Sequence, residues 1–572
     1  MNDFSLECWR LSELIIKLTK ERFKPGNMRD FSFSAEQDQS IYRFLHSVLF
    51  FQISFKKLLL TEKISSVEFK HHETEDVEAN IHSVSNLLPK LTFSVLPVLE
   101  QMGVKFKCDD VTTCQVKSEL NDKPDTLISR LLVNGLNVSF LTFLLRSFGS
   151  LGLGPKKIIF TGLNESTSEE LVKLFLKGKS ISLINIKGLT NYYSSNPEGG
   201  SKLQASSITG SVFEISWADF PFLLKFLSPQ LLQRNMQDLT RALDRYFNFL
   251  ISVKVKSKAY LNAHIAANFS PPEVITNGLM GFIGEQVYSN LKSMGCCVHS
   301  FEHGVTVGLA KCNHVRGKSL ESVNTDHFYV CSVAAKKENT NHVTKGYDWC
   351  HVIGLPRRVI EPNHPKLQRI FARRKLSIKK QEKVLMHIWG YYYFGNAPFL
   401  FQQLPNDQLK FEEELNREIY SKTPYRVFIK EYPSRRFFYQ PTMQERYADL
   451  VAEKSVEFLG NADFRYVRMA ADLIVTQCPT STLGWVLGSG MPTIYLGSDE
   501  VKPLLNDSLR QMLANSLFYI NVDEKNWADA LSEILQFPYP DLLRSWEEKS
   551  DARDLLLRHY FGRGQERRGC FL

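Results

Sequence analysis

The chain has 572 residues, of which 43% are hydrophobic and 23% charged, and its formal net charge is +9. These values are typical of a soluble globular protein, and a scattered charge this small requires neither nucleic acid nor a membrane as partner. At roughly 150 residues per domain, the length predicts two to four domains.

The N-terminus has no basic segment followed by an apolar run, so we do not interpret it as a signal peptide. No window of about 18 residues is both uncharged and strongly apolar, as a membrane span would be. The ten cysteines lie mostly in apolar runs, which is typical of buried thiols in a reducing compartment. The sequence therefore predicts a cytoplasmic protein.

Residues 1–150 are predicted to form a helix-rich N-terminal region. Two sets of apolar residues recur there at helical spacing: Leu11, Leu14, Ile15 and Leu18, then Val84, Leu88 and Leu91. No residue of this region indicates a chemical function.

Residues 151–365 alternate short apolar runs with helical patterns, which indicates a parallel α/β sheet. The predicted strands are 157–161, 181–185, 273–276 and 296–301, and the predicted helices are 166–176 and 284–294. We interpret this span as a Rossmann-like domain.

A second α/β span, 380–545, follows a basic, proline-marked stretch at 362–381 that is interpreted as a linker. Its predicted strands are 383–388, 425–430, 473–476, 493–496 and 518–521. This span is predicted to be a second Rossmann-like domain, followed by a basic C-terminal tail at 546–572.

One predicted β-α-β unit, 471–496, places hydroxyl side chains where ligands bind in such folds. Thr480, Ser481 and Thr482 follow the buried strand 473–476 and precede a short helix. Ligands of open sheets bind beyond the carboxyl ends of the strands, and the first N–H groups of a helix attract anions. The alternative is an ordinary crossover in which Ser or Thr caps the helix.

A lysine, Lys430, ends the predicted strand 425–430, and Tyr432 and Arg435 lie in the loop beyond it. A lysine at that position enters the ligand crevice as a point charge suited to a phosphate. The alternative is a basic surface loop.

His303, followed by Gly304, comes after the strand 296–301 and directly after Glu302. An imidazole can act as a general base or donate to a phosphate, and glycine lets the backbone approach a ligand. The alternative is a loop histidine bonded to backbone, with Glu302 offering a carboxylate instead.

Two other polar pairs are expected to have no catalytic role. Asp326 and His327, at the entrance of a strand, are expected to cap it. Arg357 and Arg358 follow a Gly-Leu-Pro turn and could bind a phosphate, but are expected to be a solvated basic pair.

Three further sequence patterns do not meet the requirements of a phosphate, dinucleotide or zinc site. The glycine-rich stretch 149–157 precedes a strand, whereas a phosphate loop must follow one. Gly278, Gly281 and Gly284 miss the dinucleotide spacing, and the cysteines of 296–331 form no Cys-x-x-Cys knuckle for zinc. The sequence therefore predicts neither a metal nor a cofactor.

Taken in order, these segments resemble bacterial glycosyltransferases of the two-Rossmann (GT-B) type. The motifs are His303-Gly304, the Gly-Leu-Pro-Arg turn at 354–357, Ile429-Lys-x-Tyr-Pro433, and Thr480-Ser-Thr with Gly490-Met-Pro492. The pattern is similar to capsule and surface-carbohydrate biosynthesis proteins, and more distantly to CDP-glycerol polyol-phosphate transferases and bacterial sialyltransferases. It covers about residues 270–500, and Tyr432 stands where the family has a histidine, so it cannot carry positive charge.

The resemblance implies two Rossmann-like domains facing across a cleft, with a nucleotide-sugar donor on the C-terminal one and the acceptor on the N-terminal one. It implies metal-independent transfer of a sugar to a carbohydrate or lipid-linked carbohydrate acceptor. His303 would be the base that deprotonates the acceptor hydroxyl, with Glu302 as second choice. The leaving phosphates would be held by Lys430, Tyr432, Arg435, Thr480, Ser481 and Thr482.

Other functions on the same fold stay open: a polyol-phosphate transferase, a sugar-nucleotide epimerase, or a non-catalytic scaffold or nucleic-acid-binding protein. No basic face interleaved with aromatic residues is present, so no nucleic-acid partner is predicted.

The segment 551–572 carries five arginines against three acidic residues, together with apolar residues. Such a segment can dock on an anionic bilayer, here the inner face of the membrane, and the alternative is a helix packed on the enzyme's own core. The predicted anchors are Leu555, Leu556, Leu557, Tyr560, Phe561, Phe571 and Leu572.

Overall fold

Two separate parallel sheets organise the computed structural model of this chain. The structure describes scattered residues within 7–69, then 72–73, 96–108, 112–113, 131–152 except 132 and 149, 157–184, 215–237, 257–262 except 260, 272–277, 281–302, 308–309, 322, 324–342, 349–389, 405–430, 449, 456–459, 462–477, 481–499 and 505–564.

The N-terminal region contains short strands as well as helices. The parallel pairs are β1 (Ser66–Phe69) with β3 (Lys105–Cys108), and β2 (His72–Glu73) with β4 (Thr112–Thr113), and helix α1 spans Leu96–Met102. The helix-rich prediction missed these strands because each is too short to show a repeated pattern. The helical spacing predicted at 84–91 lies outside the described residues.

The first large sheet has seven strands in the order β5-β7-β6-β8-β9-β10-β11, all parallel except β5 against β7. Its strands are β5 (Ser150–Leu151), β6 (Lys157–Phe160), β7 (Ser180–Leu183), β8 (Glu273–Thr276), β9 (Cys297–Phe301), β10 (His327–Val330) and β11 (Cys350–Val352). The accompanying helices are α2 (Leu136–Phe148), α3 (Glu165–Leu176), α4 (Pro221–Phe226), α5 (Gly281–Ser293) and α6 (Val333–His342).

The predicted elements of this sheet are confirmed to within three residues at each end. Apolar runs form its strands because both faces are covered: neighbours Ile158 and Ile159 point to opposite faces, and both are buried. Helix α3 begins at a capping box: Asn164 Oδ1 accepts the backbone N–H of Thr167 at 2.9 Å, and Thr167 Oγ1 accepts the backbone N–H of Asn164 at 2.8 Å.

The second sheet has six parallel strands in the order β14-β13-β12-β15-β16-β17. They are β12 (Val384–Ile388), β13 (Arg426–Lys430), β14 (Val456–Phe458), β15 (Leu473–Thr476), β16 (Thr493–Gly497) and β17 (Phe518–Asn521). The five predicted strands are confirmed to within one residue, and only the short edge strand β14 was missed. With two parallel-sheet units in place, the predicted class of two Rossmann-like α/β domains is confirmed.

The chain begins the second sheet at β12, adds β13 and β14 on one side, and then crosses to the other side with β15. This is the doubly wound order 3-2-1-4-5-6, whose direction reverses between β12 and β15. The helices here are α7 (Arg357–Ile360), α8 (Pro365–Lys375), α9 (Pro405–Glu414), α10 (Phe464–Val467), α11 (Ser481–Leu487), α12 (Asp507–Ser516), α13 (Trp527–Gln536), α14 (Tyr539–Glu548) and α15 (Ser550–Phe561). A π-helical turn spans Leu415–Ile419, and 3-10 turns span Trp217–Asp219, Tyr420–Lys422 and Arg468–Ala470.

The basic stretch predicted as a linker contains helix α8, which is bonded to the second sheet. Arg369 and Arg373 donate to the carboxylate of Asp472 at 2.6 and 3.2 Å, and Asp472 also accepts the backbone N–H of Val384 at 2.8 Å. Because Asp472 precedes β15 and Val384 begins β12, this buried network fixes the amino ends of both central strands.

The C-terminal segment is a helix packed on the core, which corrects its prediction as a basic tail available to a membrane. Helix α15 buries Leu556, Leu557, Tyr560 and Phe561 in the core beneath the second sheet. Leu555 is exposed, and Phe571 and Leu572 lie outside the described residues. Four of the seven predicted anchors therefore cannot enter a bilayer. In the part of the chain that the structure describes, no helix is long and apolar enough to cross a membrane.

The end of α15 contacts the first unit. Gly562 has a φ of +65°, and a Cβ there would lie 2.3 Å from the carbonyl oxygen of Cys331, so only glycine fits. The N–H of Leu355 donates to the carbonyl oxygen of Phe561 at 3.3 Å. Since Cys331 and Leu355 follow β10 and β11, the helix ends against the carboxyl edge of the first sheet.

Candidate functional site

Lys430 and Thr476 lie at the carboxyl edge of the second sheet, on either side of the same residue of the central strand. Both pair with Ile388 of β12, Lys430 from β13 and Thr476 from β15. Paired residues of parallel strands point to the same face, so these side chains lie on one face, about 10 Å apart across two strand spacings. This edge includes the point where the strand order reverses, which is the ligand crevice of open α/β sheets.

Helix α11 covers the same face of the sheet. Its Leu483 and Val486 belong to one core cluster with Met386, Ile388 and Ile474 of the central strands. Lys430 is only 3% exposed, so its side chain is enclosed by protein rather than by solvent. Its position at the carboxyl edge agrees with the sequence prediction.

Three of the six predicted phosphate-binding residues are described, and all three lie at this edge. They are Lys430, Ser481 at the start of α11, and Thr482, which is half-buried. The other three, Tyr432, Arg435 and Thr480, lie outside the described residues.

Helix α11 is held in place by a buried arginine that the sequence analysis missed. Arg468 donates to the carbonyl oxygens of Val359 and Trp485 at 2.9 and 2.8 Å, and its guanidinium lies 4.5 Å from the centre of the Trp485 ring. Burial lowers the pKa of Arg468 to about 9. Because this value is still above neutral pH, the guanidinium remains protonated. A Cβ at Gly488 would lie 2.1 Å from the carbonyl oxygen of Val359, so the helix approaches that backbone closely.

A buried polar group beneath the edge was also missed. His387 Nδ1 lies 3.5 Å from a carboxylate oxygen of Glu412, and the other oxygen accepts from Gln477 Nε2 at 2.9 Å. Burial lowers the pKa of His387 to about 3, so its imidazole is neutral at neutral pH. Gln477 directly follows β15, and this group therefore anchors the carboxyl end of that strand. The sequence did contain one indication of this buried group, the histidine inside the apolar run 383–388.

At the first sheet, Glu302 ties two strands together. Its carboxylate accepts the N–H of Cys331 at 2.7 Å, its own N–H donates to the carbonyl oxygen of Tyr329 at 2.9 Å, and it is 1% exposed. These bonds join the carboxyl ends of β9 and β10. His303 and Gly304 lie outside the described residues, so the choice of His303 as base stays a prediction.

The two pairs expected to have no catalytic role differ in outcome. Asp326 accepts the backbone N–H of Val298 at 2.8 Å, which confirms its structural role. Arg357 is exposed and pairs with Glu361 at 2.7 Å, but Arg358 is buried, which corrects its prediction as a solvated residue. Its burial comes from packing of α7 between the two units, which no local pattern shows.

Among the residues that the structure describes, no group of three or more His, Cys, Asp or Glu side chains is placed to hold a metal ion. Five cysteines are free thiols: Cys8, Cys296, Cys331 and Cys350, which are buried, and Cys297, which is half-buried.

The chain is similar in structure to three solved proteins that bind or process sugars. The UDP-GlcNAc 2-epimerase of Methanocaldococcus jannaschii, in complex with UDP-GlcNAc and UDP, is 11% identical, with 70% of this chain and 98% of that one covered and a TM-score of 0.38. HepE of Anabaena, in complex with UDP and glucose, is 11% identical over 50% and 73% of the two chains, with a TM-score of 0.32. WaaG, a glycosyltransferase involved in lipopolysaccharide biosynthesis, is 13% identical over 53% and 90%, with a TM-score of 0.31.

No protein-family model matches the sequence, and a search of curated proteins finds no match either. Likenesses as remote as the three above assign no activity to this chain.

Proposed function

We propose that this chain is a glycosyltransferase that moves a sugar from a nucleotide-activated donor to a carbohydrate or lipid-linked carbohydrate acceptor. The observation that carries the proposal is the placement of Lys430 and Thr476 on one face of the second sheet, flanking Ile388 at the point where the strand order reverses. Phosphates of nucleotides bind at this position in doubly wound sheets.

The chemistry needs a group that stabilises the charge developing on the leaving nucleotide. The ammonium of Lys430 is suited to this, because a buried charge aimed at the phosphates acts in a medium of low dielectric. The turn that begins α11, with Thr480, Ser481 and Thr482, would supply hydroxyl and backbone donors to the same phosphates. In this arrangement the counter-charge comes from the chain itself rather than from a metal ion.

The acceptor side would be the carboxyl edge of the first sheet. Glu302 lies there in a structural role, and His303 follows it directly, so the imidazole is the better choice of base. The base would take the proton of the acceptor hydroxyl as its oxygen attacks the anomeric carbon and the nucleotide leaves.

A thermal-shift screen against UDP-, CMP-, CDP- and GDP-linked sugars tests the proposal, with and without EDTA. A true donor at a hundredfold excess over its Kd should stabilise the protein by about 2.7 kcal/mol. Analysis of the products then identifies the reaction: release of the nucleotide should require an acceptor and yield a glycosylated product. Failure of every nucleotide sugar to stabilise the protein would overturn the proposal, and an epimerised sugar nucleotide would replace transfer by epimerisation.

A further inference from the structure

We propose that the outer face of helix α8 (Pro365–Lys375), together with the basic residues just after it, docks on an anionic lipid bilayer. The inner side of this helix is bonded to the second sheet, and its outer side combines basic and aliphatic side chains. The proposal does not depend on the transferase activity proposed above, because α8 lies at the amino edge of the second sheet and Lys430 lies at the carboxyl edge.

Positive charge is concentrated in the stretch 362–381, which has seven lysines and arginines and no acidic residue, in a chain whose net charge is +9. Arg369 and Arg373 are paired with Asp472 on the inner side. The other five cations are Lys366, Arg374, Lys375, Lys379 and Lys380. All but the half-buried Lys375 are exposed, and these four form no ion pair with any residue that the structure describes.

The carboxylates on either side of this stretch do not neutralise its charge. Glu361 pairs with Arg357 at 2.7 Å. Glu382 pairs with Arg426 at 3.3 Å and accepts the backbone N–H of Lys379. The outer face of α8 therefore presents a positive potential to solvent, which attracts an anionic surface over a Debye length of about 8–10 Å.

Aliphatic side chains lie among these cations. Leu367 and Ile370 are 45% and 52% exposed. With Arg374 they follow the spacing i, i+3, i+7, which places all three on one face of the helix, whereas Gln368 and Ala372 are buried on the other. At a bilayer surface, such aliphatic side chains enter the boundary between headgroups and acyl chains while the lysines and arginines contact the headgroups.

This combination favours a bilayer over a nucleic acid as the partner. Nucleic-acid surfaces interleave cations with aromatic residues that stack on bases, whereas the exposed apolar residues here are aliphatic and would stay in water beside a phosphate backbone. The helix is also folded and bonded in place before docking, so no ordering of the chain opposes binding.

Docking at this face leaves the candidate donor site open. Arg369 and Arg373 hold α8 at Asp472, which precedes β15, whereas Thr476 ends that strand at the opposite edge. Four residues of extended strand separate the two positions by about 13 Å. The bilayer would therefore contact the second unit at the edge of its sheet that faces away from Lys430.

Co-sedimentation of the full chain with phosphatidylcholine vesicles, with and without phosphatidylglycerol, tests the proposal. We expect binding to the anionic vesicles only. Each cation near such a surface raises the partition coefficient roughly fivefold, so Lys366→Gln combined with Arg374→Gln should lower it roughly 25-fold. Lys337→Gln combined with Lys525→Gln is the matched control, because it removes the same charge at exposed positions elsewhere and should leave binding unchanged.

A second pair of substitutions separates insertion from simple charge attraction. Leu367→Gln combined with Ile370→Gln should lower the partition coefficient roughly tenfold at every salt concentration, since burial of apolar surface is not screened. The charge pair should instead make binding less dependent on salt. All variants should keep their thermal unfolding temperature, because each substituted side chain is exposed.

The proposal is overturned if anionic vesicles do not sediment the chain, or if either pair of α8 substitutions binds as the unaltered protein does. A fluorescent single-stranded oligonucleotide is the competing polyanion. If it binds the chain while vesicles do not, and the charge pair abolishes that binding, the face is a nucleic-acid surface and the bilayer is excluded.

Discussion

The backbone N–H of Asn506 donates to the carbonyl oxygen of Leu309 at 2.9 Å, and this bond joins the loop after β9 to the second unit. Leu309 is buried in the same core cluster as Leu483 of α11. The described residues on either side of 303–307 are therefore both anchored, Glu302 at the first sheet and Leu309 at the second unit. That His303 faces 480–482 across the cleft stays a prediction.

If His303 is the base, His303→Ala should lower kcat by roughly 10² to 10⁴ while leaving nucleotide affinity within a factor of two. The reason is that the imidazole acts on the acceptor hydroxyl and not on the donor. Steady-state kinetics and nucleotide titration on the same preparation check this. Glu302→Gln is the comparison: it should lower thermal stability, because Glu302 ties β9 to β10. Full activity of His303→Ala would exclude it as the base.

Replacement of Lys430 tests the donor edge. Lys430→Met keeps the length of the side chain and removes its charge, so we expect nucleotide affinity to fall by roughly 10- to 100-fold, the loss of a charged hydrogen bond. The matched control is Lys422→Met, at an exposed lysine that pairs with Glu418 on the surface. Equal nucleotide affinity of both variants would contradict the role of Lys430.

The carboxylate of Asp472 should be essential to stability. Asp472→Ala leaves the N–H of Val384 and the guanidinium groups of Arg369 and Arg373 without their shared acceptor, and we expect a loss of about 3 kcal/mol in the free energy of unfolding. Urea denaturation measures it. Asp541→Ala removes an exposed pair with Arg544 and should cost about 0.5 kcal/mol or less. A similar small loss for both would show that the network is not stabilising.

Acid should weaken the first sheet through His299. Burial lowers the pKa of His299 to about 4, reinforced by the neighbouring His327 and His351 and opposed by Asp326. Between pH 6.5 and 4 the unfolded chain therefore binds more protons than the folded one, so the free energy of unfolding falls as the pH falls, by up to about 3 kcal/mol.

His299→Phe checks this contribution, because phenylalanine does not titrate. Its absolute stability will also change, since the ring nitrogen Nδ1 lies 3.1 Å from the hydroxyl of Tyr329. The readout is therefore the slope of unfolding free energy against pH, which should be shallower between pH 6.5 and 4 in the variant. Identical slopes would rule out His299 as a contributor.

Removal of helix α15 should unfold the second unit. Deletion of 551–572 removes four large buried side chains, each worth roughly 1.5–3 kcal/mol, from a protein whose total stability is typically about 5–15 kcal/mol. Deletion of 565–572 alone should leave thermal unfolding unchanged. Vesicle co-sedimentation of that shorter deletion then tests the last residues as a membrane anchor. A stable, monodisperse 551–572 deletion would contradict the structural role of α15.

The sequence alone determined most of the strands and the residues that follow them. Buried parallel strands are nearly continuous apolar runs, so 383–388 and 473–476 could be recognised without knowing their neighbours. Since residues just beyond such a strand lie at its carboxyl end, Ser481, Thr482 and Lys430 were also found by position along the chain.

Only the tertiary structure decided which of these residues meet. Lys430 and Thr476 became one site because β13 and β15 both pair with β12, and strand order leaves no local pattern. Arg358 and helix α15 are buried by surfaces that are distant in sequence. The local sequence shows only their charges, and from these we predicted exposure to solvent for Arg358 and to a membrane for α15. Local pattern reflects the neighbours along the chain, whereas burial and pairing depend on residues that only folding brings together.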